Sequence, residues 1–372
     1  MKFIFTCGGT AGHVYPAIAV AGRLKELMPD SEFLFIGAEG KMEMDLVPKE
    51  GYKILPLKIT YLHRGKSLKA IAYNIKTVKN VFAAIKEAKR IMREFKPDAV
   101  IGTGGYVCFP VLKAASDLKI PTAVHESNAV PGLTTKMLAK KVDRIMVGFN
   151  ESCKYYPDPE AVKVTGTPVR GEFDCYSKTT ARAELGIPAD RKLVLSVWGS
   201  LGASHMNNTV ADMMHELCHQ KDFHFMHCSG RMYHERMQNK LHEAKHCGDE
   251  GGFELLEFIY DMPRVMAAAD LIMCRAGAST LAELTYMGKP ALIVPSPNVT
   301  NNHQEKNARV LEKAGGANVL LEGEFDSESL MKHVKELLAD EEKLQEMSKV
   351  MSALSVRDAC DKICDTILEI CR

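Results

Sequence analysis

No stretch of this chain approaches the roughly 18 consecutive apolar residues of a membrane-spanning helix. Its first residues enter a β-type run directly, with no basic stretch, apolar stretch and small-residue cleavage site. Neither a membrane span nor a signal peptide is therefore expected. None of the eleven cysteines forms a Cys-x-x-Cys pair or has zinc spacing, so they read as free thiols of a reducing cytoplasm, with no structural metal. No aspartate stands two residues from another, so the Asp-x-Asp device for holding a metal on a diphosphate is missing. Excess charge is missing too. A net charge of +1 argues against a nucleic-acid partner bound through overall positive charge. Tryptophan occurs once.

What is present is an ordinary soluble composition, 46% hydrophobic and 26% charged. At ~150 residues per domain, 372 residues make two domains. Short, continuously apolar runs alternate with helical patterns at 2–7, 32–37, 53–57, 98–102, 122–125 and 144–148. They resume at 192–197, 223–228, 254–258, 271–274 and 291–294. That pattern predicts parallel sheets covered by helices on both faces. The proline-rich stretch 155–191 is the expected interdomain region, and from Asp326 onward only helices are expected.

One phrase is written twice, about 190 residues apart. A buried strand runs into Gly8-Gly9-Thr10-Ala11-Gly12-His13 and a helix from Tyr15, and another into Trp198-Gly199-Ser200-Leu201-Gly202-Ala203 and a helix. Strand, glycine turn and helix aim backbone N–H groups and a positive dipole end at a phosphate. The first copy is not a dinucleotide fingerprint, because Cys7 stands where glycine is needed. Gly65-Lys66-Ser67 is not a Walker loop, because Thr60 occupies the upstream glycine position.

Three more clusters follow strands, at the edge where open α/β sheets bind ligands. Gly104-Gly105-Tyr106 permits close approach of a ligand to the backbone. His125-Glu126-Ser127-Asn128 suits acid–base work or sugar recognition, or is simply a satisfied polar loop. In Arg275-Ala276-Gly277-Ala278-Ser279-Thr280-Leu281-Ala282-Glu283 a helix begins near Ala278. Ser279 and Thr280 can hold a diphosphate there, and Glu283 can accept ribose hydroxyls; the bland reading is a helix cap and a surface glutamate. Gln304 lies beyond the next strand at the same edge.

Segment 62–96 carries ten Lys or Arg against two Glu, with Leu68, Ile71, Ala72, Ile75, Val78, Phe82, Ile85 and Met92 at helical spacing. It reads as a crossover helix with a solvated basic face, as an attachment to an anionic membrane, or as both.

Taken in order, these phrases together with Gly166-Thr167-Pro168-Val169-Arg170 closely resemble the MurG family, peptidoglycan GlcNAc transferases of glycosyltransferase family 28. The resemblance spans about residues 2–316. It implies a GT-B fold: two Rossmann-like doubly wound parallel-sheet domains with a deep interdomain cleft. The expected domains are 1–165, bearing the acceptor and membrane functions, and 166–354, binding UDP-GlcNAc. A helix at about 355–372 is expected to return to the first. The implied reaction is inverting, metal-independent transfer of GlcNAc from UDP-GlcNAc to the C4 hydroxyl of undecaprenyl-diphospho-MurNAc-pentapeptide (lipid I). It gives lipid II at the cytoplasmic face of the cell membrane, with no cofactor. The basic segment 62–96 matches the family's membrane patch, and cell-wall synthesis and division proteins are candidate partners.

Carried over residue by residue, His13 is the candidate general base, with Glu126 second. Ser200, Ile259, Ala278, Ser279, Thr280, Leu281, Ala282, Glu283, Gln304 and Arg170 are expected on the donor, Ile259 beside uracil and Glu283 on ribose. Thr10, Ala11, Gly12 and Asn128 are expected to close over GlcNAc and diphosphate, with Gly104, Gly105 and Tyr106 on the acceptor side. Three residues depart from the family pattern. Trp198 and Phe109 replace common glycines, and Ser127 replaces a frequent glutamine. Rival readings are another GT-B transferase, a UDP-GlcNAc epimerase on the same fold, and a non-catalytic nucleotide-sugar sensor.

Overall fold

The computed structural model describes residues 1–60, 67–199, 202–245 and 252–371, the side chains of 68–76 and 245 excepted. The chain divides into two units, Met1–Arg170 with Val356–Arg372, and Gly171–Ser355.

The first unit is built on a parallel sheet of β1 (Lys2–Thr6), β2 (Glu32–Ala38), β3 (Lys53–Leu57), β4 (Ala99–Gly102), β5 (Thr122–Glu126), β6 (Arg144–Val147) and β7 (Val162–Val164). Its order is β3-β2-β1-β4-β5-β6-β7. The connections carry α1 (Ala11–Leu27), α2 (Glu43–Lys49), α3 (Leu68–Phe95), α4 (Cys108–Asp117) and α5 (Leu133–Leu138). Side chains alternate across a strand, and β1 shows the consequence. Phe3 and Phe5 are buried on one face with Val14, Ala17 and Ala21 of α1. Ile4 is buried on the other with Ala84, Ala88 and Met92 of α3 and Val111 of α4.

The second unit has a parallel sheet of β8 (Lys192–Val197), β9 (Phe223–Cys228), β10 (Phe253–Leu256), β11 (Leu271–Cys274), β12 (Ala291–Ile293) and β13 (Ala317–Val319). Its order is β10-β9-β8-β11-β12-β13. Around it lie α6 (Lys178–Glu184), α7 (Ser204–His219), α8 (His234–Lys245), α9 (Met262–Ala268), α10 (Ala278–Met287), α11 (His303–Ala314), α12 (Ser327–Ala339) and α13 (Glu341–Ala353). The last helix, α14 (Ala359–Ile370), belongs to the first unit. Its Ile363, Cys364 and Ile367 join the core beneath α1, and Arg23 donates to Asp361 at 2.6 Å.

Three expectations are corrected. The sequence pattern missed β7 and β13, three-residue edge strands with half-exposed side chains and too little apolar signal to read. Helix α1 starts at Ala11 rather than Tyr15, because Gly12 and His13 interrupt the apolar periodicity without interrupting the backbone. The apolar stripe of α3 splits: Ala84, Ala88, Ile91 and Met92 are buried, whereas Val78 and Phe82 are 48% and 70% exposed. The start of that basic segment, 62–66, lies outside the described residues.

Each sheet reverses its order at one place, between β1 and β4 in the first unit and between β8 and β11 in the second. Loops leaving the carboxyl ends of such strand pairs flank a crevice, the general ligand position of open α/β sheets. All the glycine clusters lie there.

Candidate active site

In the first unit the loops after β1 and β4 are locked together. Gly8 N–H donates to Gly104 O at 3.2 Å, and Thr103 Oγ1 donates to His13 O at 2.6 Å. Gly105, at φ +90°, lies so close that a Cβ there would sit 2.2 Å from Gly8 O. A Cβ on Gly104 would meet the His13 ring at 2.4 Å. These glycines are demanded by contact as well as by conformation. Tyr106 packs partly buried on the core beside them. Phe109, on the first turn of α4, packs on the same core.

His13 lies in the first turn of α1. Its Nδ1 is 2.9 Å from Gly8 O and 3.3 Å from Thr10 Oγ1. A carbonyl only accepts, so Nδ1 carries a proton, and in the neutral ring the lone pair is on Nε2. A half-buried imidazole in that tautomer is arranged to accept a proton.

Glu126 is placed differently. Its Oε1 accepts from Asn128 N at 3.1 Å and Nδ2 at 2.9 Å; its Oε2 accepts from Gly132 N at 2.9 Å and Thr135 Oγ1 at 2.7 Å. Four donors on a 6% exposed carboxylate make it the clamp of the loop after β5. His125 is also structural. Nε2–H donates to Gly166 O at 2.8 Å, Nδ1 faces Ser127 Oγ at 3.3 Å, and burial pushes its pKa down. Arg170 stacks on Tyr15 of α1, 4.6 Å from the ring centre.

One carboxylate escaped the sequence reading. Glu43, fully buried at the start of α2, accepts from Gly9 N at 3.1 Å and Ala38 N at 2.9 Å. A Cβ at Gly8 or Gly37 would collide with it, at 2.2 and 2.6 Å. It ties the histidine-bearing loop to the end of β2. A lone glutamate 34 residues away gives no sequence signal of that contact.

In the second unit, Ser200 falls outside the described residues. Around it, Gly202 N–H donates to Gly199 O at 3.0 Å, both glycines having positive φ, and α7 follows. Ala278, Ser279, Thr280, Leu281, Ala282 and Glu283 occupy the first turns of α10, and Ile259 is buried beyond β10. Gln304 Oε1 accepts from Ser296 N at 2.8 Å, which leaves its NH₂ to donate elsewhere. The residues preceding α1, α7 and α10 make no side-chain cap hydrogen bond, a feature shared with α2, α4, α5, α11 and α14. A glycine turn leads from a strand at the switch point into each of α1, α7 and α10, a geometry suited to an oxyanion. Among the described residues, no group of three or more His, Cys, Asp or Glu is placed to hold a metal ion.

Residues 3–147 match the glycosyltransferase family 28 N-terminal domain, and residues 193–363 match its C-terminal domain. A protein of Acetivibrio thermocellus named UDP-N-acetylglucosamine–N-acetylmuramyl-(pentapeptide) pyrophosphoryl-undecaprenol N-acetylglucosamine transferase is 42% identical over 370 residues, covering 100% of this chain and 98% of its own. The chain belongs to glycosyltransferase family 28. A Caldanaerobacter subterraneus protein of the same name is 39% identical, with 98% of each chain covered. The crystal structure of Acinetobacter baumannii MurG superposes with a TM-score of 0.76 at 27% identity, covering 99% of both chains. A UDP-GlcNAc 2-epimerase from Neisseria meningitidis superposes at 0.67 but with 16% identity, a likeness of fold alone. Family 28 membership makes the chain a glycosyltransferase and accounts for two parallel-sheet units, each with a glycine turn at its switch point.

Proposed function

We propose that this chain transfers GlcNAc from UDP-GlcNAc to the C4 hydroxyl of undecaprenyl-diphospho-MurNAc-pentapeptide, with inversion and without a divalent metal. The substrates come from relatives that share the full length of the chain and carry that activity in their names. The chemistry rests on one observation, the His13 ring held through Nδ1 by Gly8 O at the first unit's switch point, which in the neutral ring leaves the lone pair on Nε2. Nε2 takes the hydroxyl proton while O4 bonds to the anomeric carbon. The bond from that carbon to the diphosphate breaks, and UDP leaves with the electron pair. The starts of α7 and α10, with Ser200, Ser279 and Thr280, take up the charge on UDP; Glu283 binds ribose, and Ile259 lies beside uracil. Arg170 and Gln304 add donor contacts. Thr10, Ala11, Gly12 and Asn128 are assigned to GlcNAc and diphosphate, and Gly104, Gly105 and Tyr106 to the acceptor. Glu126 serves this chemistry by holding Asn128 rather than as the base.

The lipid acceptor calls for membrane contact at the cytoplasmic face. No helix of the described chain is long and apolar enough to cross a membrane. Val78 and Phe82 on α3, and Leu133 and Met137 on α5, are instead exposed one helical turn apart on helices that both pack against α4. Exposed Lys79 and Lys86 accompany them on α3, whereas Arg90 is paired with Glu87 and Glu94. Apolar insertion with basic residues contributing ~1 kcal/mol each near anionic lipid is the proposed mode of attachment. The test of the reaction is acceptor-dependent UDP release by the parent and by His13→Ala. Equal turnover of the two would remove His13 from the chemistry.

A further inference from the structure

We propose that Trp198 is a positioning residue for donor binding, fixing from beneath the three loops that receive UDP. The inference rests on the donor reading above and adds a residue to it. Trp198, the only tryptophan of the chain, directly follows β8 and is 3% exposed. Gly199 follows it directly with φ +88°.

The indole is held by a hydrogen-bond chain whose every direction is determined. Asn207 Nδ2 donates to Ser229 O at 3.0 Å and to Ala203 O at 3.1 Å, so Asn207 Oδ1 must accept from His227 Nε2–H at 3.0 Å. His227 Nδ1 is therefore unprotonated and accepts from Ser196 Oγ–H at 2.9 Å. Ser196 Oγ in turn accepts from Trp198 Nε1–H at 2.8 Å. Three buried side chains, Ser196, His227 and Asn207, thus connect the indole to the residue before α7 and to the residue after β9. A fully satisfied buried network specifies one geometry, because each partner lost leaves another unsatisfied.

The ring also faces the opposite side of the switch point. The Arg275 guanidinium lies 5.8 Å from its centre, donates to Val294 O at 3.0 Å and Pro295 O at 3.3 Å, and pairs with Glu322. Trp198 is where the loops after β8, β11 and β12 are brought into register, and these loops lead into Ser200, α10 and Gln304. Phosphate-binding backbone depends on such placement, since a misplacement of ~1 Å can cost ~10²-fold.

The test uses Trp198→Phe, which keeps a buried ring and loses the N–H, and Ser196→Ala, which removes its acceptor. Calorimetric UDP affinity, donor KM, kcat and Tm are measured for both singles and the double variant. The expected result is donor KM and UDP Kd raised ~5–50-fold in each single, kcat at saturating donor within threefold, and a double variant no worse than the poorer single. In the parent, intrinsic tryptophan fluorescence changes saturably with UDP at the calorimetric Kd. UDP binding by the parent with no emission change, and with both variants binding as tightly, overturns the role of Trp198 and leaves the donor reading intact. A Tm loss with unchanged UDP affinity makes Trp198 a core residue only. Failure of the parent to bind UDP overturns both.

Discussion

His13 and His227 are both imidazoles whose tautomer a neighbouring oxygen dictates, and they do opposite things. His13 is half-buried, its Nδ1 held by Gly8 O, and is proposed to use Nε2 as a base; His227 is fully buried with both nitrogens occupied, and burial pushes its pKa down to about 3. His13→Ala should lower kcat by ~10²–10⁴ while leaving UDP-GlcNAc affinity within about threefold, read by steady-state kinetics and calorimetry. For His227 the sign follows from linkage. Its folded value lies below the unfolded 6.5, so the unfolded chain binds the extra proton between the two. The stability it contributes is whole above pH ~6.5 and is lost as pH falls toward 3. His125, lowered by burial, acts in the same direction. Scanning calorimetry should show a flat Tm from pH 7 to 8 and a steady fall below 6.5; a Tm that rises on acidification would contradict the buried neutral imidazoles. Glu126→Gln should act through stability, lowering it by ~1–3 kcal/mol, because an NH₂ would replace an oxygen that accepts from two donors. Motif reading brought His13 and Glu126 forward as a pair and left the choice open. Local hydrogen bonds, none reaching further than nine residues, favour His13: Glu126 is engaged by Asn128, Gly132 and Thr135. A motif gives residue types and spacing but not which atom the folded loop engages.

The glycine loops were legible as elements, because strand, turn and helix follow one another within a dozen residues. Their joining was not. The contact of Gly105 with Gly8 O and the passage of Glu43 beside Gly8 depend on where the chain returns, dozens of residues away. Continuous apolar runs gave the central strands nearly to the residue, whereas the three-residue edge strands β7 and β13 carried no such signal. Gly105→Ala would place a Cβ 2.2 Å from a backbone oxygen at positive φ, so a destabilisation of at least ~2 kcal/mol is expected, with lost transfer. Denaturant melts and UDP calorimetry on that variant should show the second unit still binding UDP. Helix α14 offers a test far from any motif. Ile367 is fully buried under α1, and Ile367→Ala should cost ~2–5 kcal/mol by urea melt; a loss below 0.5 kcal/mol would mean that α14 does not carry that core.

At the scale of the whole molecule, a near-neutral chain carries its basic excess in one segment, and the exposed apolar residues Val78 and Phe82 lie within it. Val78→Glu with Phe82→Glu should abolish sedimentation with anionic vesicles while transfer to a soluble acceptor analogue persists. Unchanged sedimentation would place the membrane contact elsewhere. The division of labour proposed for the two units, a base on one and nucleotide-binding helix starts on the other, requires both substrates for any turnover. UDP release from UDP-GlcNAc, measured in EDTA with and without a lipid I analogue, tests that most directly. Release only in the presence of the analogue, together with a GlcNAc-β-1,4-MurNAc product, is the expected result. Conversion of UDP-GlcNAc without the acceptor, or no turnover with it, would contradict the transferase mechanism.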